Sequence, residues 1–341
     1  MVERAVVQLF RGSGQPFQLE HVDLPNELEV GEILVQISLA TICGSDLHTF
    51  TGRRDAPTPC VLGHEAVGVV LSSRRPGVVP GDRITWTLAD ACGHCPRCID
   101  WNLPQKCERL FKYGHAAFAD NYGLNGCYAS HIVIRPGTAA FVVPENLSDT
   151  VAAPANCALA TIINALEQLP KRCDRVLIQG GGLLGIYACA WLAQQGIAEV
   201  YCVDLSAPRL AQVARFGGIP LRIDQTPPTV DLVLEVAGTS AVIPQGIKAL
   251  RPGGHYIWAG MVHPETALQL TGEAVVRKCL TVRGVHNYAP PHLQVGLEFL
   301  LANQERFPFQ QLTSPPMPLG QLDAAFKRAA QQKWQRVAVQ P

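Results

Sequence analysis

The chain has 341 residues, of which 48% are apolar and 16% are charged, a composition typical of a compact globular protein of two domains. Its 28 lysines and arginines balance 28 aspartates and glutamates, so the net positive charge typical of partners of nucleic acids or acidic membranes is missing. We find no run of eighteen apolar residues and no secretory leader, and we therefore expect a cytoplasmic protein without a membrane span.

The first 150 residues alternate short β-type runs with glycine and proline, which predicts a strand-rich, partly barrel-like domain. The runs are "GEILVQISLA", "AVGVVLSS", "GDRITWTL" and "ASHIVIRPG". Two polar stretches interrupt them. "ATICGSDLHTF" carries Cys43, Ser45, Asp46 and His48, and "VLGHEAVGVV" carries His64 followed by Glu65.

Four of the twelve cysteines lie within one short segment, "ACGHCPRCIDWNLPQKC". In a chain of this length without a leader, such a cluster indicates metal ligation before disulfides, whereas single cysteines are usually small buried apolar residues. The spacing predicts a closed structural zinc site that holds an irregular lobe together. Its four thiolate ligands are Cys92, Cys95, Cys98 and Cys107.

A third polar segment, "APANCALATIINAL", stands near the point where the sequence pattern changes and carries Cys157 and Thr161. Cys43, His64 and Cys157 together supply two thiolates and one imidazole from three separate segments. That donor set suits a tetrahedral zinc ion with one open position.

From Val151 onward, helical and strand-like periods alternate, which predicts βαβ units and a parallel sheet. "RVLIQGGGLLG" is a buried strand that runs into a G-x-G-x-x-G loop opening an apolar helix, the pattern of a dinucleotide-binding site. The phosphates would lie at the helix N-terminus. The expected cofactor-binding residues here are Gly180, Gly182, Leu183, Leu184 and Gly185.

The second predicted strand of this domain, "EVYCVD", ends in Asp204, nineteen residues after Gly185. A carboxylate at that place accepts hydrogen bonds from the ribose hydroxyls and disfavours a 2′-phosphate, which predicts NAD rather than NADP. Arg209 is expected on the adenosine side. If "LRID" is the third strand, the six residues before the next strand are too few for a crossover helix. We therefore expect a short or displaced edge strand. Two amphipathic helices and a closing strand, "RVAVQ", follow.

The ordered set C-G-S-D-x-H, G-H-E, C-x-x-C-x-x-C and the glycine loop resembles that of the zinc-dependent medium-chain alcohol dehydrogenases nearly end to end. The resemblance implies an α/β protein with a GroES-like catalytic domain and a Rossmann domain. We expect the first at residues 1–156, with 288–341 returning to it, and the second at 157–287. In this family the gap before the fourth cysteine is usually one residue shorter, and we expect the extra residue to bulge near Trp101 or Asn102.

The resemblance also implies residue roles. Zinc would bind Cys43, His64 and Cys157, with Glu65 as an alternate ligand, and Asp46 would orient the ligand histidine. Ser45 and His48 would relay a proton from the substrate oxygen toward solvent. Thr161 would pack beside the nicotinamide and Arg336 would reach the cofactor phosphates. Two zinc ions per chain and NAD are the implied cofactors, and a homodimer or homotetramer is the implied assembly.

The substrate is expected to be a small alcohol or its aldehyde. The loop "RLFKYGHAAF" stands where family members build a substrate pocket, and Lys112, Tyr113 and His115 would bind an anionic substrate there unless the loop is merely solvated. Together with "PQKC" and "APANCALAT", it resembles the phosphonate-catabolism-associated branch, which suggests a hydroxyalkyl-phosphonate. Polyols and amino alcohols remain open, as do a non-catalytic NAD- or zinc-binding protein and a zinc-free quinone reductase.

Overall fold

The computed structural model of the chain describes residues 4–268 and 270–341. The chain divides into two compact units. The first comprises the chain up to Cys157 together with Ala289–Ala302 and Phe309–Pro341, and the second comprises Ala158–Tyr288 and Asn303–Pro308. Among the helices of the described ranges, none combines the length and the apolar character needed to cross a bilayer.

The strands, in chain order, are β1 (Arg4–Phe10), β2 (Gln18–Asp23), β3 (Ile33–Ile42), β4 (Cys60–Val61), β5 (Glu65–Ser73), β6 (Arg83–Trp86), β7 (Ala89–Asp90), β8 (Phe111–Lys112), β9 (His131–Ile134), β10 (Ala140–Val142), β11 (Arg175–Gln179), β12 (Glu199–Asp204), β13 (Ile219–Arg222), β14 (Val230–Glu235), β15 (Leu250–Trp258), β16 (Thr281–Gly284), β17 (Met317–Pro318) and β18 (Val337–Gln340). The helices are α1 (Gly44–Phe50), α2 (Pro96–Ile99), α3 (Asp149–Ala152), α4 (Ala158–Leu166), α5 (Leu183–Gln194), α6 (Ala207–Arg215), α7 (Ile243–Ala249), α8 (Gly272–Arg277), α9 (Pro290–Asn303) and α10 (Leu322–Ala330).

The first unit is built on a bent sheet in the order β10-β6-β5-β3-β18-β17, with β9 also paired to β3. Its longest pairing joins β3 and β5 in antiparallel register, with Thr41 opposite Glu65. A three-stranded sheet, β2-β1-β4, packs with it around one apolar core. Strands β1, β3, β5 and β9 are buried along most of their length, and their apolar residues line that core. The predicted GroES-like barrel is confirmed.

The second unit is a six-stranded sheet in the order β13-β12-β11-β14-β15-β16, in which every pairing is parallel. The order reverses between β11 and β14, as in a doubly wound dinucleotide-binding sheet. The apolar runs of β11 and β14 are buried because α-helices cover both faces of such a sheet. The predicted Rossmann fold is therefore also confirmed.

The third strand of this sheet is short, as expected, although its position differs from the prediction. β13 has four residues and lies at the sheet edge, and no helix stands between it and β14 in the described chain. The strand begins and ends two residues before the predicted "LRID". It ends at Arg222 because the chain turns there. There the amide of Gln225 donates to the Arg222 carbonyl and the Asp224 carboxylate binds the Arg222 guanidinium.

Candidate active site

Four potential metal ligands of the first unit converge on one point. Their ligand atoms all lie within 4.8 Å of one another, and we call them the buried cluster: Cys43, His64, Glu65 and Cys157. The pairing of β3 with β5 brings the first three together, because Cys43 follows the end of β3 and Glu65 begins β5. Cys157 joins them from the end of a 3₁₀ turn, Ala153–Asn156.

The spacing of the two thiols fits a tetrahedral metal ion. Cys43 Sγ and Cys157 Sγ are 4.0 Å apart, whereas two thiolates bound tetrahedrally to zinc at about 2.3 Å would be about 3.8 Å apart. Soft sulfur and imidazole donors are those that zinc prefers. The residues of the buried cluster therefore fit zinc in both geometry and chemistry.

The charges of the buried cluster also favour a cation. Burial lowers the pKa of His64, but the facing Asp46 carboxylate and the Cys43 sulfur outweigh burial and raise it to about 10. The hydrogen bond from Cys157 and the nearby Arg336 guanidinium hold the pKa of Cys43 well below that of an ordinary thiol. The buried cluster thus favours positive charge on His64 and negative charge on Cys43.

Asp46 is fully buried beside the imidazole, as the family resemblance implies. Its Oδ1 lies 3.4 Å from His64 Nδ1, and its Oδ2 accepts hydrogen bonds from the Cys43 amide at 2.9 Å and from the Tyr128 hydroxyl at 2.8 Å. An imidazole that ligates a metal is usually oriented by such a carboxylate. Tyr128 and the Cys43 amide fix the carboxylate in turn.

The Glu65 carboxylate is fully buried and accepts three hydrogen bonds. Arg336 binds both carboxylate oxygens, with Nε at 2.7 Å from Oε2 and Nη2 at 2.8 Å from Oε1. The Thr41 hydroxyl donates to Oε2 at 2.6 Å. Arg336 Nη2 also lies 3.5 Å from Cys43 Sγ. The predicted contact of Arg336 with cofactor phosphates stays a prediction, since the contacts described for its guanidinium are with the buried cluster and the Gln335 carbonyl.

Asn156 supports the buried cluster through the backbone of His64. Its side-chain amide donates to the His64 carbonyl at 2.9 Å and to the Trp86 carbonyl at 3.0 Å, and the residue is fully buried. The amide therefore fixes the position of the β5 segment relative to the turn that carries Cys157.

Ser45 and His48 both lie on α1, directly after Cys43, and both are half-buried. Residues three positions apart share a face of a helix. Their placement is compatible with the predicted proton relay, which itself stays a prediction.

The loop after β8 approaches the His64 segment closely. A Cβ at Gly114 would lie 2.5 Å from the Gly63 carbonyl oxygen, so only glycine allows this contact. As a result the His115 ring lies 5.5 Å from the His64 ring, centroid to centroid. Of the three predicted pocket residues, His115 therefore lies beside the buried cluster.

Lys112 is the last residue of β8, directly before this loop, and is half-buried. Burial and the nearby Arg54 guanidinium lower its pKa to about 8. Burial, Lys112, His64 and Arg54 hold the pKa of His115 well below its ordinary value. Lys112, His115 and Arg54 thus influence one another electrostatically beside the buried cluster.

Tyr113 does not belong to this group, and its predicted place in the substrate pocket is wrong. The residue is fully buried in the apolar core of the first unit. Its hydroxyl is 2.8 Å from Thr138 Oγ1 and accepts a hydrogen bond from the Arg135 amide at 2.8 Å. Successive side chains of an extended segment point to opposite sides. Tyr113 therefore points into the apolar core, and Lys112 points away from it.

The four remaining predicted zinc ligands also meet, with all ligand atoms within 4.8 Å. We call them the cysteine cluster: Cys92, Cys95, Cys98 and Cys107. Cys95 Sγ lies 3.5 Å from Cys98 Sγ and 3.9 Å from Cys107 Sγ, again close to the roughly 3.8 Å expected of thiolates on one zinc ion. The amides of Cys92 and Arg109 point at Cys107 Sγ from 3.2 and 3.3 Å.

The long gap before Cys107 is absorbed by a turn at the expected place. Asn102 adopts a positive φ of 50°, a conformation that asparagine tolerates better than most residues. The neighbouring Trp101 is 63% exposed. The extra residue therefore leaves the convergence of the four thiols intact.

In the second unit, the predicted dinucleotide loop connects β11 to α5. A Cβ at Gly185 would lie 1.9 Å from the Gly180 carbonyl oxygen. Only glycine at position 185 therefore allows α5 to pack this closely against the end of β11. Gly182 is the N-cap of α5 and has open space around its Cα. Leu183 is buried and Leu184 is half-buried. Open space and unpaired amides at a helix N-terminus are what a pyrophosphate requires.

Asp204 ends β12 beside this loop. Its Oδ2 accepts a hydrogen bond from the Gly181 amide at 2.7 Å, and its Oδ1 accepts one from the Ser206 amide at 2.7 Å. Arg209 Nη1 lies 3.6 Å from the same carboxylate. Thr161 is buried on α4. The structure thus joins Asp204 and Arg209 to the loop, as the spacing indicated.

Both halves of the chain match known protein families. Residues 29–145 match the alcohol dehydrogenase GroES-like domain, and residues 153–339, more than half of the chain, match the glucose dehydrogenase C-terminus. The chain belongs to the medium-chain alcohol dehydrogenase family. It is accordingly an oxidoreductase that acts on CH–OH groups.

Individual members of the alcohol dehydrogenase family align along most of the chain. An alcohol dehydrogenase of Moraxella sp. (strain TAE123) is 28% identical over 94% of both chains. An L-threonine 3-dehydrogenase of Vibrio cholerae is 26% identical over 80% of this chain and 81% of its own. The crystal structure of an alcohol dehydrogenase from Thermotoga maritima superposes with a TM-score of 0.92 at 27% identity, covering 99% of this chain and 100% of its own.

Several residues that shape this alcohol dehydrogenase site carry no sequence signal of their own. Tyr128 and Thr41 lie in ordinary strand-like runs, and Arg54 follows α1 in a polar loop. Asn156 differs from these residues, because its position directly before the metal-ligand candidate Cys157, in a polar segment, is a sequence signal that it belongs to the site.

Proposed function

We propose that this protein is a zinc-dependent dehydrogenase that transfers a hydride between a small alcohol and NAD. The observation that carries the proposal is the buried cluster, in which two thiols, an imidazole and a carboxylate from three segments of the chain lie within 4.8 Å of one another. Zinc bound there would act as a Lewis acid toward the oxygen of the alcohol. The cysteine cluster would hold a second, structural zinc ion.

The residues around the cluster divide the remaining work. Asp46 keeps the His64 imidazole oriented, and Arg336 balances the charge of Glu65 in the protein interior. Ser45 accepts the proton of the alcohol hydroxyl and His48 passes it toward solvent, as in general acid–base catalysis. The net reaction removes a hydride from the alcohol carbon and a proton from its oxygen.

NAD is the proposed hydride acceptor because of Asp204. A carboxylate at the end of the second strand accepts hydrogen bonds from ribose hydroxyls and repels a 2′-phosphate. In this chain the carboxylate is already fixed by the Gly181 and Ser206 amides. NADP should therefore bind more weakly than NAD, by a ratio that titration of both cofactors measures directly.

The substrate we propose is a small anionic alcohol, with a hydroxyalkyl-phosphonate as the specific candidate. Lys112 is half-buried and has no ion-pair partner among the described residues. His115 Nε2 is buried and likewise has no hydrogen-bond partner in the part of the chain that the structure describes. With Arg54 beside both residues, these groups suit an anion adjacent to the reacting carbon.

A neutral polyol or an amino alcohol is the alternative substrate class. The similarity to an L-threonine 3-dehydrogenase favours the amino alcohol. A cationic ammonium group, however, would face Lys112 and Arg54 across a short distance, which is unfavourable electrostatically. A non-catalytic NAD- or zinc-binding protein on the same scaffold would bind both cofactors and oxidise no alcohol.

Metal analysis and a substrate panel test these proposals together. We expect two zinc ions per chain and NADH formation from hydroxyalkyl-phosphonates at lower KM than from neutral diols or threonine. Lys112→Ala should raise the KM of the anionic alcohol by about tenfold or more, while the exposed-site control Lys171→Ala should not. Zero zinc would exclude the metal mechanism, and equal KM values for all alcohols would exclude the anionic pocket.

The pH dependence of KM offers a second check of the same pocket. Burial, and to a smaller extent the Arg54 guanidinium, lower the pKa of Lys112 to about 8. Its ammonium group therefore loses its charge as the pH rises past that value. KM for an anionic alcohol should therefore rise above pH 8 in the wild type. The rise should be absent in Lys112→Ala and with a neutral alcohol.

A further inference from the structure

Glu235 is a buried carboxylate at the carboxyl end of β14, in the middle of the parallel sheet. Its side chain is fully buried, and it has no ion-pair partner among the described residues. Its Oε1 accepts a hydrogen bond from the Gly238 amide at 2.6 Å, and its Oε2 accepts one from the Gly260 amide at 3.1 Å. Burial raises the pKa of Glu235, and the surrounding amides oppose that rise.

These hydrogen bonds tie the end of β14 to the end of β15, and the turn that they fix also packs against the end of β11. The turn after Glu235 touches the end of β11, because a Cβ at Gly180 would lie 2.9 Å from the Ala237 nitrogen. The same turn touches the end of β15, where a Cβ at Gly260 would lie 2.7 Å from the Gly238 nitrogen. The carboxylate therefore fixes a turn that packs directly against the first glycine of the dinucleotide loop.

We infer that Glu235 is a positioning residue for the nicotinamide half of the dinucleotide, a role that rests on the proposed use of NAD. Ligands of doubly wound sheets bind outside the carboxyl ends of the strands, and the second half of the sheet receives the second mononucleotide. Glu235 acts through the backbone of residues 236–239 and Gly260, and it does not itself touch the cofactor. Its carboxylate accepts from several amides at once, which a side-chain amide cannot reproduce.

Asp231 provides a matched control on the same strand. Its Oδ2 accepts hydrogen bonds from the Asp174 and Arg175 amides at 2.9 and 3.0 Å, and its Oδ1 pairs with Arg251. Asp231 thus organises backbone in the same way as Glu235. Asp231, however, lies at the amino ends of the strands, whereas the dinucleotide loop lies at their carboxyl ends.

The test compares Glu235→Gln with Asp231→Asn by titration with NADH and with AMP, which lacks the nicotinamide half. In Glu235→Gln we expect the Kd of NADH to rise about tenfold and that of AMP to stay within about twofold of wild type. Asp231→Asn should leave both constants unchanged. An equal loss for NADH and AMP in Glu235→Gln, or the same NADH loss in Asp231→Asn, would overturn the inference.

Amide hydrogen exchange tests the same point without cofactor. The Gly238 and Gly260 amides should exchange faster in Glu235→Gln than in wild type, while amides of the cysteine cluster should not change. Wild-type exchange at both glycines would overturn the inference even if NADH binding fell. A wild-type protein that does not bind NADH would instead contradict the proposed function, so the two failures are distinguishable.

Discussion

The buried cluster and the cysteine cluster bring similar donors to similar distances, yet the chain builds them in different ways. The cysteine cluster takes all its ligands from residues 92–107, a segment with little regular structure. The residues of the buried cluster come from the chain directly after β3, from the start of β5 and the residue before it, and from the turn before α4. The cysteine cluster therefore depends on one short segment, whereas the residues of the buried cluster meet only when the sheet of the first unit has formed.

The surroundings of the two clusters differ as well. Around the cysteine cluster the polar contacts come from the backbone, with the amides of Cys92 and Arg109 pointing at the sulfur of Cys107. In and around the buried cluster, by contrast, side chains pair in the protein interior, Asp46 with His64 and Glu65 with Arg336. Charges in a buried site act strongly on a reacting group. We therefore propose that the cysteine cluster stabilises the fold and that the buried cluster carries the chemistry.

The largest effect that this comparison predicts is the loss of turnover in Cys43→Ser. Removing a thiolate ligand should cost several kcal/mol of transition-state stabilisation, about 10³-fold in kcat/KM, with the fold retained. Steady-state kinetics and circular dichroism measure the two quantities. Cys60→Ala changes a buried thiol outside both clusters and should keep turnover. Near-wild-type activity in Cys43→Ser would exclude the buried cluster as the catalytic site.

The next effect concerns the ion pair that borders the buried cluster. Arg336→Met leaves the Glu65 carboxylate buried without its cation, which should lower the free energy of unfolding by about 3–5 kcal/mol. Adding Glu65→Gln removes the stranded charge and should restore part of the loss. Denaturant unfolding of both variants measures the difference. If the double variant is no more stable than Arg336→Met, the pair does not balance charge as we infer.

In the cysteine cluster, by contrast, Cys95→Ser should reduce stability before it reduces the rate. Losing a structural zinc ion should cost about 2–4 kcal/mol, seen as a lower Tm and one zinc ion per chain by metal analysis. At temperatures where the variant stays folded, kcat should remain within about threefold of wild type. A Cys95→Ser protein with two zinc ions and an unchanged Tm would contradict this division of roles.

Much of this architecture could be predicted from the sequence because its signals are local. The strand "RVLIQ" and the loop that follows are fixed by a continuous apolar run and by glycine spacing, and β11 has the predicted bounds. The cysteine cluster is visible for the same reason, since its ligands are close in sequence. Even the short edge strand β13 followed from counting the residues available for a crossover.

The interactions that organise the buried cluster are not visible in the same way, because they depend on strand register. Tyr128 reaches Asp46 across 82 positions of the chain, and Arg336 reaches Glu65 across 271. The error at Tyr113 has a related cause. The sequence places it between two predicted pocket residues, but the direction of each side chain is set by the local backbone, and Tyr113 points into the core.

Tyr128→Phe gives the smallest and most selective test of the comparison. It removes one of the two donors that fix Asp46 Oδ2 and keeps the ring that packs in the core. Loss of support for a ligand histidine typically weakens metal binding by about 10–100-fold. Chelator competition should therefore remove the zinc of the buried cluster more easily from this variant, while the cysteine cluster keeps its ion.

Tyr113→Phe is the matched control for that experiment, because it removes the hydroxyl of a fully buried tyrosine from the hydrogen bonds with Thr138 and the Arg135 amide. Both variants should lose about 1–3 kcal/mol of stability, but only Tyr128→Phe should release the first zinc ion at a lower chelator concentration. Equal zinc release from the two variants would mean that the hydroxyl of Tyr128 stabilises the fold without orienting Asp46. Asp46 would then depend on the Cys43 amide alone, and the side chains around the buried cluster would matter less to its metal than the present geometry indicates.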